Sequence, residues 1–144
     1  MGRSRGSGPL LGGRNLNGNL LDTNIVLLAM AAPGRLSTDA WAATDAGPNV
    51  ISVISYWEVI LKSAKGKLDV GDPRAWWFDA LDQLAATPVA LRPEHVAAVY
   101  SLPPVHKDPF DRVLIAQAII EGLTLVSNDA DIVRYASKTL RVVR

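Results

Sequence analysis

Short apolar runs alternate along the chain with longer segments in which apolar residues recur at helical spacing. The apolar runs predict strands at residues 19–21, 50–53, 89–91, 124–126 and 140–143. The segments between them predict helices at residues 25–32, 37–45, 55–64, 72–86, 92–100, 108–121 and 130–136. Strands that are separated by helices pair in parallel through right-handed crossovers. The pattern therefore predicts an α/β fold, a three-layer sandwich with a central parallel sheet flanked by helices.

Four acidic residues stand at the starts of predicted helices, and most of them follow a predicted strand closely. They are Asp22, Glu58, Asp111 and Asp129. Ligands of open parallel sheets bind beside the carboxyl ends of the strands, so we expect these side chains to meet at one edge. Carboxylates crowded into one pocket repel each other unless a cation compensates them. Hard oxygen ligands, without Cys and with little His, indicate Mg²⁺ or Mn²⁺.

Each of these acids also has a purely structural interpretation as part of a helix cap. Ser55 and Glu58 fit a capping box, Asp129 can cap the helix that follows it, and Asp22 can bond the turn behind it. The set as a whole favours a cation site. Several helix N-termini aimed at one point would form a rigid site in which carboxylates stay ionised.

Composition narrows the class of protein. The chain has 144 residues, 49% of them hydrophobic, which suffices for one domain with its own core. A formal net charge of +1 argues against a strongly basic nucleic-acid binder but allows a locally basic groove. The absence of Cys excludes disulfides and thiolate metal sites, and it is compatible with the cytoplasm, where we expect the protein to act. The longest apolar stretches are too short to span a bilayer.

The first 18 residues differ in composition from the rest, being rich in Gly, Ser, Arg and Asn. Such a segment cannot bury enough apolar surface to fold alone, which predicts a disordered or non-native leader over residues 1–18. The alternative is a basic arm that contacts nucleic acid through Arg3, Arg5 and Arg14. The folded domain is predicted to span residues 19–144.

Three segments carry a resemblance to a known family. They are LLDTN, SVISYWEVILKSAKGKL and HKDPFDRVLIAQAIIEGLTLVSND. In this order and spacing they resemble the PIN-domain ribonucleases, and among these the VapC-like toxins of type II toxin–antitoxin systems. The resemblance covers residues 19–144. It implies an endoribonuclease that depends on Mg²⁺, with Mn²⁺ as a substitute, and that inhibits translation and growth as a toxin.

The resemblance also assigns roles to individual residues. It implies that Asp22, Glu58, Asp111 and Asp129 are the catalytic and metal-binding acids, and that Ser127 and Asn24 support the site. Asp108 is either a helix cap or a further outer ligand. Lys62 either pairs with Glu58, one turn away, or binds a phosphate near the metal. Three further basic residues could form a positive rim that follows the RNA backbone: Lys65, Lys107 and Arg112. The alternative is that they belong to a solvated face of the protein.

Tryptophan residues suggest a partner surface. Trp76 and Trp77 are adjacent on a predicted helix, so we expect one to enter the core and the other to be exposed; the alternative is that both are core. With Trp57 and Leu61 they could form an apolar groove. The resemblance implies that a helix of a cognate antitoxin occupies this groove and that the chain forms a homodimer.

Two other classes of protein compete with the nuclease. One is a non-catalytic PIN-like module that binds RNA or protein, although all four acids are present. The other is a phosphatase-like enzyme with a nucleophilic Asp after the first strand. That reaction usually needs a second Asp two residues later, where this chain has Asn24.

Overall fold

The computed structural model describes residues 18–104 and 108–144, which form five strands and seven α-helices. The strands are β1 (Asn19–Leu21), β2 (Asn49–Ser52), β3 (Ala86–Val89), β4 (Thr124–Val126) and β5 (Val142–Val143). The helices are α1 (Thr23–Ala31), α2 (Thr38–Ala46), α3 (Val53–Ala64), α4 (Pro73–Gln83), α5 (Pro93–Val99), α6 (Pro109–Glu121) and α7 (Ala130–Val133). A short 3₁₀ helix, Pro33–Arg35, follows α1. Of the predicted leader, only Gly18 belongs to the described residues.

All five strands pair in parallel, in the order β3-β2-β1-β4-β5. The first strand lies at the centre, with Leu20 paired to Val50 on one side and to Leu125 on the other. Because the strands are parallel, their carboxyl ends all reach one edge of the sheet. The predicted parallel α/β architecture is confirmed.

The core has two parts, one on each face of the sheet, because successive strand residues point to opposite faces. Leu20, Leu125 and Ile115 belong to the core on one face, whereas Leu21 and Val126 belong to the core on the other. Helices cover both faces, which gives the predicted three layers. Within residues 18–104 and 108–144, no helix reaches the length and apolarity needed to cross a bilayer.

The passage from β2 into α3 differs from the prediction. The strand ends at Ser52, whose side chain accepts a hydrogen bond from the Ile54 backbone N–H at 3.0 Å and so caps α3. The capping box expected at Ser55 and Glu58 was therefore wrong. Ser55 lies inside the helix and is fully buried. The β-branched residue Val53 favoured an extended prediction, but the cap at Ser52 makes it the first helical residue.

The prediction that one of the adjacent tryptophans is exposed was also wrong. Trp76 and Trp77 are only 6% and 8% exposed. Trp77 stacks on Tyr56, with ring centroids 4.7 Å apart. Helix α4 packs against α3, β3 and α1, so two of its faces are covered rather than one. Neither tryptophan is therefore available to line a surface groove.

A buried polar cluster ties α5 to α6. His95 is fully buried, and its Nε2 lies 2.8 Å from Oε2 of Glu121, which is 2% exposed. The Arg92 backbone N–H donates to Nδ1 of His95 at 3.0 Å, so Nε2 carries the proton that faces Glu121. The Arg92 guanidinium lies 3.4 Å from the same carboxylate oxygen. His95 thus has a structural role, because it joins the start of α5 to the end of α6.

Replacing Glu121 tests this cluster. We expect Glu121→Ala to lower the free energy of unfolding by about 3–5 kcal/mol, because it strips buried polar groups of their partner. Urea unfolding at pH 7.5 measures the change. Asp131→Ala is the control, since Asp131 forms an exposed pair with Arg134 at 3.8 Å and should matter little. Similar stabilities for the two variants would contradict the role of the cluster.

Candidate active site

A cleft of about 380 Å³ opens at the carboxyl ends of the central strands. It brings together all four acids that the sequence singled out, from four different parts of the chain. The residues that line it are Asp22, Thr23, Asn24, Leu27, Glu58, Lys62, Asp108, Asp111, Asn128 and Asp129. Parallel pairing explains this convergence, because α1, α3, α6 and α7 all begin at one edge of the sheet or near it. Asp22, Asp111 and Asp129 lie at the starts of their helices, whereas Glu58 lies in the second turn of α3 and not at its start as predicted.

Asp22 is the most buried of the charged residues that line this cleft, with 4% of its surface exposed. It caps α1 by accepting from the Ile25 N–H at 2.8 Å, and its own N–H donates to the Val126 carbonyl at 3.1 Å. Burial raises the pKa of Asp22 to about 6. The hydrogen bonds from Ser127 and Ile25 lower this pKa, and the negative charges of Asp129 and Glu58 raise it further. The chain's own groups thus leave the ionised carboxylate poorly compensated.

Glu58 is held from two sides. It is 6% exposed. Its Oε1 accepts from the Thr23 hydroxyl at 2.7 Å, and its Oε2 accepts from the Lys62 ammonium at 2.8 Å. The Thr23 oxygen also lies 2.9 Å from the buried Ser55 hydroxyl. Thr23 and Ser55 were not predicted as site residues, although Thr23 directly follows Asp22.

Helix α6 contributes two acids through its first turn. Asp108 caps the helix by accepting from the Phe110 N–H at 2.9 Å, as its sequence context predicted. Asp111 follows in the first turn, close to the positive end of the helix dipole. Both side chains line the cleft. The cap role and a place in the site are therefore compatible for Asp108.

The segment after β4 supplies the last acid and its support. Asp129 caps α7 by accepting from the Asp131 N–H at 2.8 Å, and its own N–H donates to the Ser127 hydroxyl oxygen at 3.1 Å. Ser127 is fully buried and also bonds the Asp22 side chain. It therefore links two acids of the cleft.

Two amide side chains, those of Asn24 and Asn128, lie at the rim of the cleft. The exposed hydrogen bond at this position joins Asn24 to Asn128 at 3.3 Å. Asn128 was not predicted as a site residue, although it lies between Ser127 and Asp129 in the sequence. Both amides line the cleft. They are polar groups at the entrance to the acids.

The basic residues separate into different positions. Lys62 lines the cleft, whereas Lys65 and Arg112 do not. The Arg112 guanidinium donates to the carbonyls of Val99, Leu102 and Pro103 at 3.1, 3.4 and 2.9 Å. It thereby anchors the end of α5 against α6. Lys65 is exposed at the C-terminal cap of α3. Lys107 lies outside the described residues.

The donor set of the cleft fits a hard divalent cation in its chemistry. Carboxylate oxygens dominate the lining, and the buried Asp22 has a raised pKa that a cation would lower. Among residues 18–104 and 108–144, however, no group of three or more His, Cys, Asp or Glu side chains is already arranged to hold a metal ion. The acids share a cleft without forming a preset cage.

The chain is similar in sequence to a known protein family. The PIN domain model matches residues 20–138, so the chain belongs to the PIN-domain family. It is similar to the Ribonuclease VapC22 of Mycobacterium tuberculosis, with 30% identity over 112 residues, which cover 76% of this chain and 85% of that protein. The expected resemblance to PIN-domain, VapC-like proteins is thereby confirmed.

Solved structures support the same fold. The chain is similar to VapBC2 from Rickettsia felis, crystallised with a DNA fragment from its promoter, with a TM-score of 0.62, 17% identity, and coverage of 90% of this chain and 100% of that one. A toxin–antitoxin complex from Klebsiella pneumoniae gives a TM-score of 0.58 at 17% identity, over 85% of this chain and 95% of that one. FitAcB from Neisseria gonorrhoeae gives a TM-score of 0.57 at 17% identity, over 88% of this chain and 96% of that one.

The raised pKa of Asp22 predicts a pH-dependent effect on stability. Above pH 6 the folded protein carries a buried charge that the unfolded chain, with an Asp pKa of 3.8, carries in water. In EDTA at pH 7.5 we expect Asp22→Asn, which keeps the cap, to raise the free energy of unfolding by about 2–3 kcal/mol. The gain should shrink between pH 6 and pH 4, as the folded wild type takes up its proton.

Urea unfolding of metal-free protein at pH 7.5 and pH 4.5 measures this effect. Asp79→Asn, an exposed acid on α4, is the control and should show no comparable gain. A loss of stability for Asp22→Asn at pH 7.5 would show that the charge of Asp22 is well compensated in the folded protein.

Proposed function

We propose that the chain is an endoribonuclease that hydrolyses RNA phosphodiester bonds with Mg²⁺, for which Mn²⁺ can substitute. The observation that carries this proposal is one cleft lined by Asp22, Glu58, Asp111 and Asp129. Membership of the PIN-domain family and the similarity to a protein named as a ribonuclease support it. The protein would act in the cytoplasm as a toxin that inhibits translation and growth.

The four acids would hold the cation, with Asp22 as the central ligand and Asp108 in an outer position. When bound, a divalent cation neutralises phosphate oxygens and lowers the pKa of bound water. The chain's own groups hold the acids in place. Ser127 bonds both Asp22 and the backbone of Asp129, and Thr23 fixes one oxygen of Glu58. Burial of these hydroxyls keeps the carboxylates oriented before substrate arrives.

Cleavage of RNA tests the proposal. Purified protein should cut a total bacterial RNA pool at discrete positions with Mg²⁺ or Mn²⁺, and EDTA should abolish the cuts. We expect Asp22→Asn to lower the rate by at least about a hundredfold, a loss typical of removing a transition-state interaction. Asp79→Asn should cleave like the wild type.

Two outcomes would count against a nuclease. Cleavage that persists in EDTA or in Asp22→Asn would point to a contaminant. Absence of cleavage by folded protein with either metal would favour the non-catalytic module.

We further propose that a cognate antitoxin binds the surface formed by Trp57 and Leu61, and that the toxin is a homodimer. Trp57 is 54% exposed, and its ring meets Phe110 edge-on at 5.3 Å. Leu61 lies one turn further along α3 and is half-buried. An exposed, fixed tryptophan is a common anchor for a protein partner. The similar structures include toxin–antitoxin complexes, which supports a partner of this kind.

Trp57→Ala tests the antitoxin surface. We expect it to weaken antitoxin binding by at least about tenfold, the loss typical of removing a central aromatic anchor. Isothermal titration of the toxin with antitoxin measures the change. Phe78→Ala is the matched control, because Phe78 is an aromatic residue on α4 that is 69% exposed. Equal affinities for both variants would place the antitoxin elsewhere.

A further inference from the structure

Lys62 brings a positive charge into the acidic cleft. Its ammonium donates to Glu58 at 2.8 Å, and its side chain lines the cleft beside Asp108 and Asp111. The pKa of Lys62 is raised by the bond to Glu58 and by the charges of Glu58, Asp108 and Asp111. The ammonium therefore feels negative charge from both α3 and the start of α6, which is the environment that a bound cation would feel.

The two carboxylate oxygens of Glu58 have different partners. Oε1 is engaged by Thr23, a buried hydroxyl backed by the buried Ser55. Oε2 is the oxygen that Lys62 holds. For Glu58 to bind a cation through Oε2, the ammonium has to give up this position or share it against charge repulsion. Since the Lys62 side chain is 51% exposed, it has room to move into solvent.

We propose that Lys62 is the resident counter-ion of the cleft: its ammonium holds the Glu58 oxygen that a divalent cation needs, and the cation must displace it. This inference rests on the proposed metal-dependent function. Because the Lys62 end of the pair is half exposed, the ammonium can leave Glu58 for solvent while α3 stays folded. Until it is displaced, the ammonium offsets part of the negative charge of Glu58, Asp108 and Asp111. The displaced ammonium would remain at the cleft, where an anionic phosphate is its natural partner.

Cation affinity tests this inference directly. Isothermal titration with Mn²⁺ should give a dissociation constant roughly tenfold lower for Lys62→Met than for the wild type, the effect of removing one like charge several ångströms from a divalent ion in a water-like dielectric. Methionine keeps most of the apolar stem. Lys62→Arg retains the charge and should bind Mn²⁺ like the wild type.

A distant lysine provides the charge-matched control. Lys138 is exposed and lies beside Thr124, where β4 begins, at the opposite edge of the sheet. Lys138→Met lowers the net charge by the same amount and should leave Mn²⁺ affinity unchanged. Thermal unfolding in EDTA checks that every variant is folded. Equal or weaker Mn²⁺ binding by folded Lys62→Met would overturn the inference.

A chemical readout follows the lysine itself. Brief acetylation of the wild type with an amine-specific reagent, analysed by mass spectrometry, should modify Lys62 more with Mn²⁺ than with EDTA, because release from Glu58 frees the amine. Lys138 should react equally in both conditions. Unchanged reactivity of Lys62 at saturating Mn²⁺ would contradict displacement.

These experiments distinguish a failure of the proposed function from a failure of the inference about Lys62. Wild type that binds Mn²⁺ and releases Lys62 but cleaves no RNA would overturn the nuclease and leave the inference standing. Wild type that cleaves RNA, with no effect of Lys62→Met on Mn²⁺ affinity, would overturn the inference alone. Absence of Mn²⁺ binding in every variant would overturn both.

Discussion

The burial of a carboxylate at the end of the central strand is the constraint around which the site is built. Asp22 cannot move away, because its backbone N–H is bonded to Val126 of the neighbouring strand and its side chain caps α1. Its charge is therefore fixed at a position where water compensates it poorly. The groups around it, Ser127 and the first turn of α1, offset part of that cost. A cation in the cleft would offset the rest.

The same side chains stabilise the helices and form the cleft. Asp22, Asp108 and Asp129 each use one oxygen to cap a helix, which fixes the direction of the carboxylate. The choice between a cap and a functional residue is therefore not exclusive. Local folding orients the acids, and the parallel sheet brings them together.

Much of this arrangement could be predicted from sequence. The caps Asp108 and Asp129 and the parallel sheet follow from local patterns, and parallel pairing is enough to predict that Asp22 and Asp129 share an edge. The contacts of Thr23 with Ser55 and Glu58 could not be predicted, because they depend on how the side chains of α1 and α3 pack against each other. The prediction that Trp76 or Trp77 is exposed was wrong for a similar reason. A helix that is covered on two faces can bury two adjacent residues, and this depends on how α4 packs in the folded protein.

The cation site is tested most directly by an anomalous diffraction experiment on crystals soaked in Mn²⁺. We expect an anomalous peak inside the cleft, within bonding distance of Asp22 and at least one more of the acids that line it. We also expect the Lys62 ammonium to have left Glu58 in that structure. A peak elsewhere, or an empty cleft at Mn²⁺ concentrations that support RNA cleavage, would contradict the claim that these acids form a cation site.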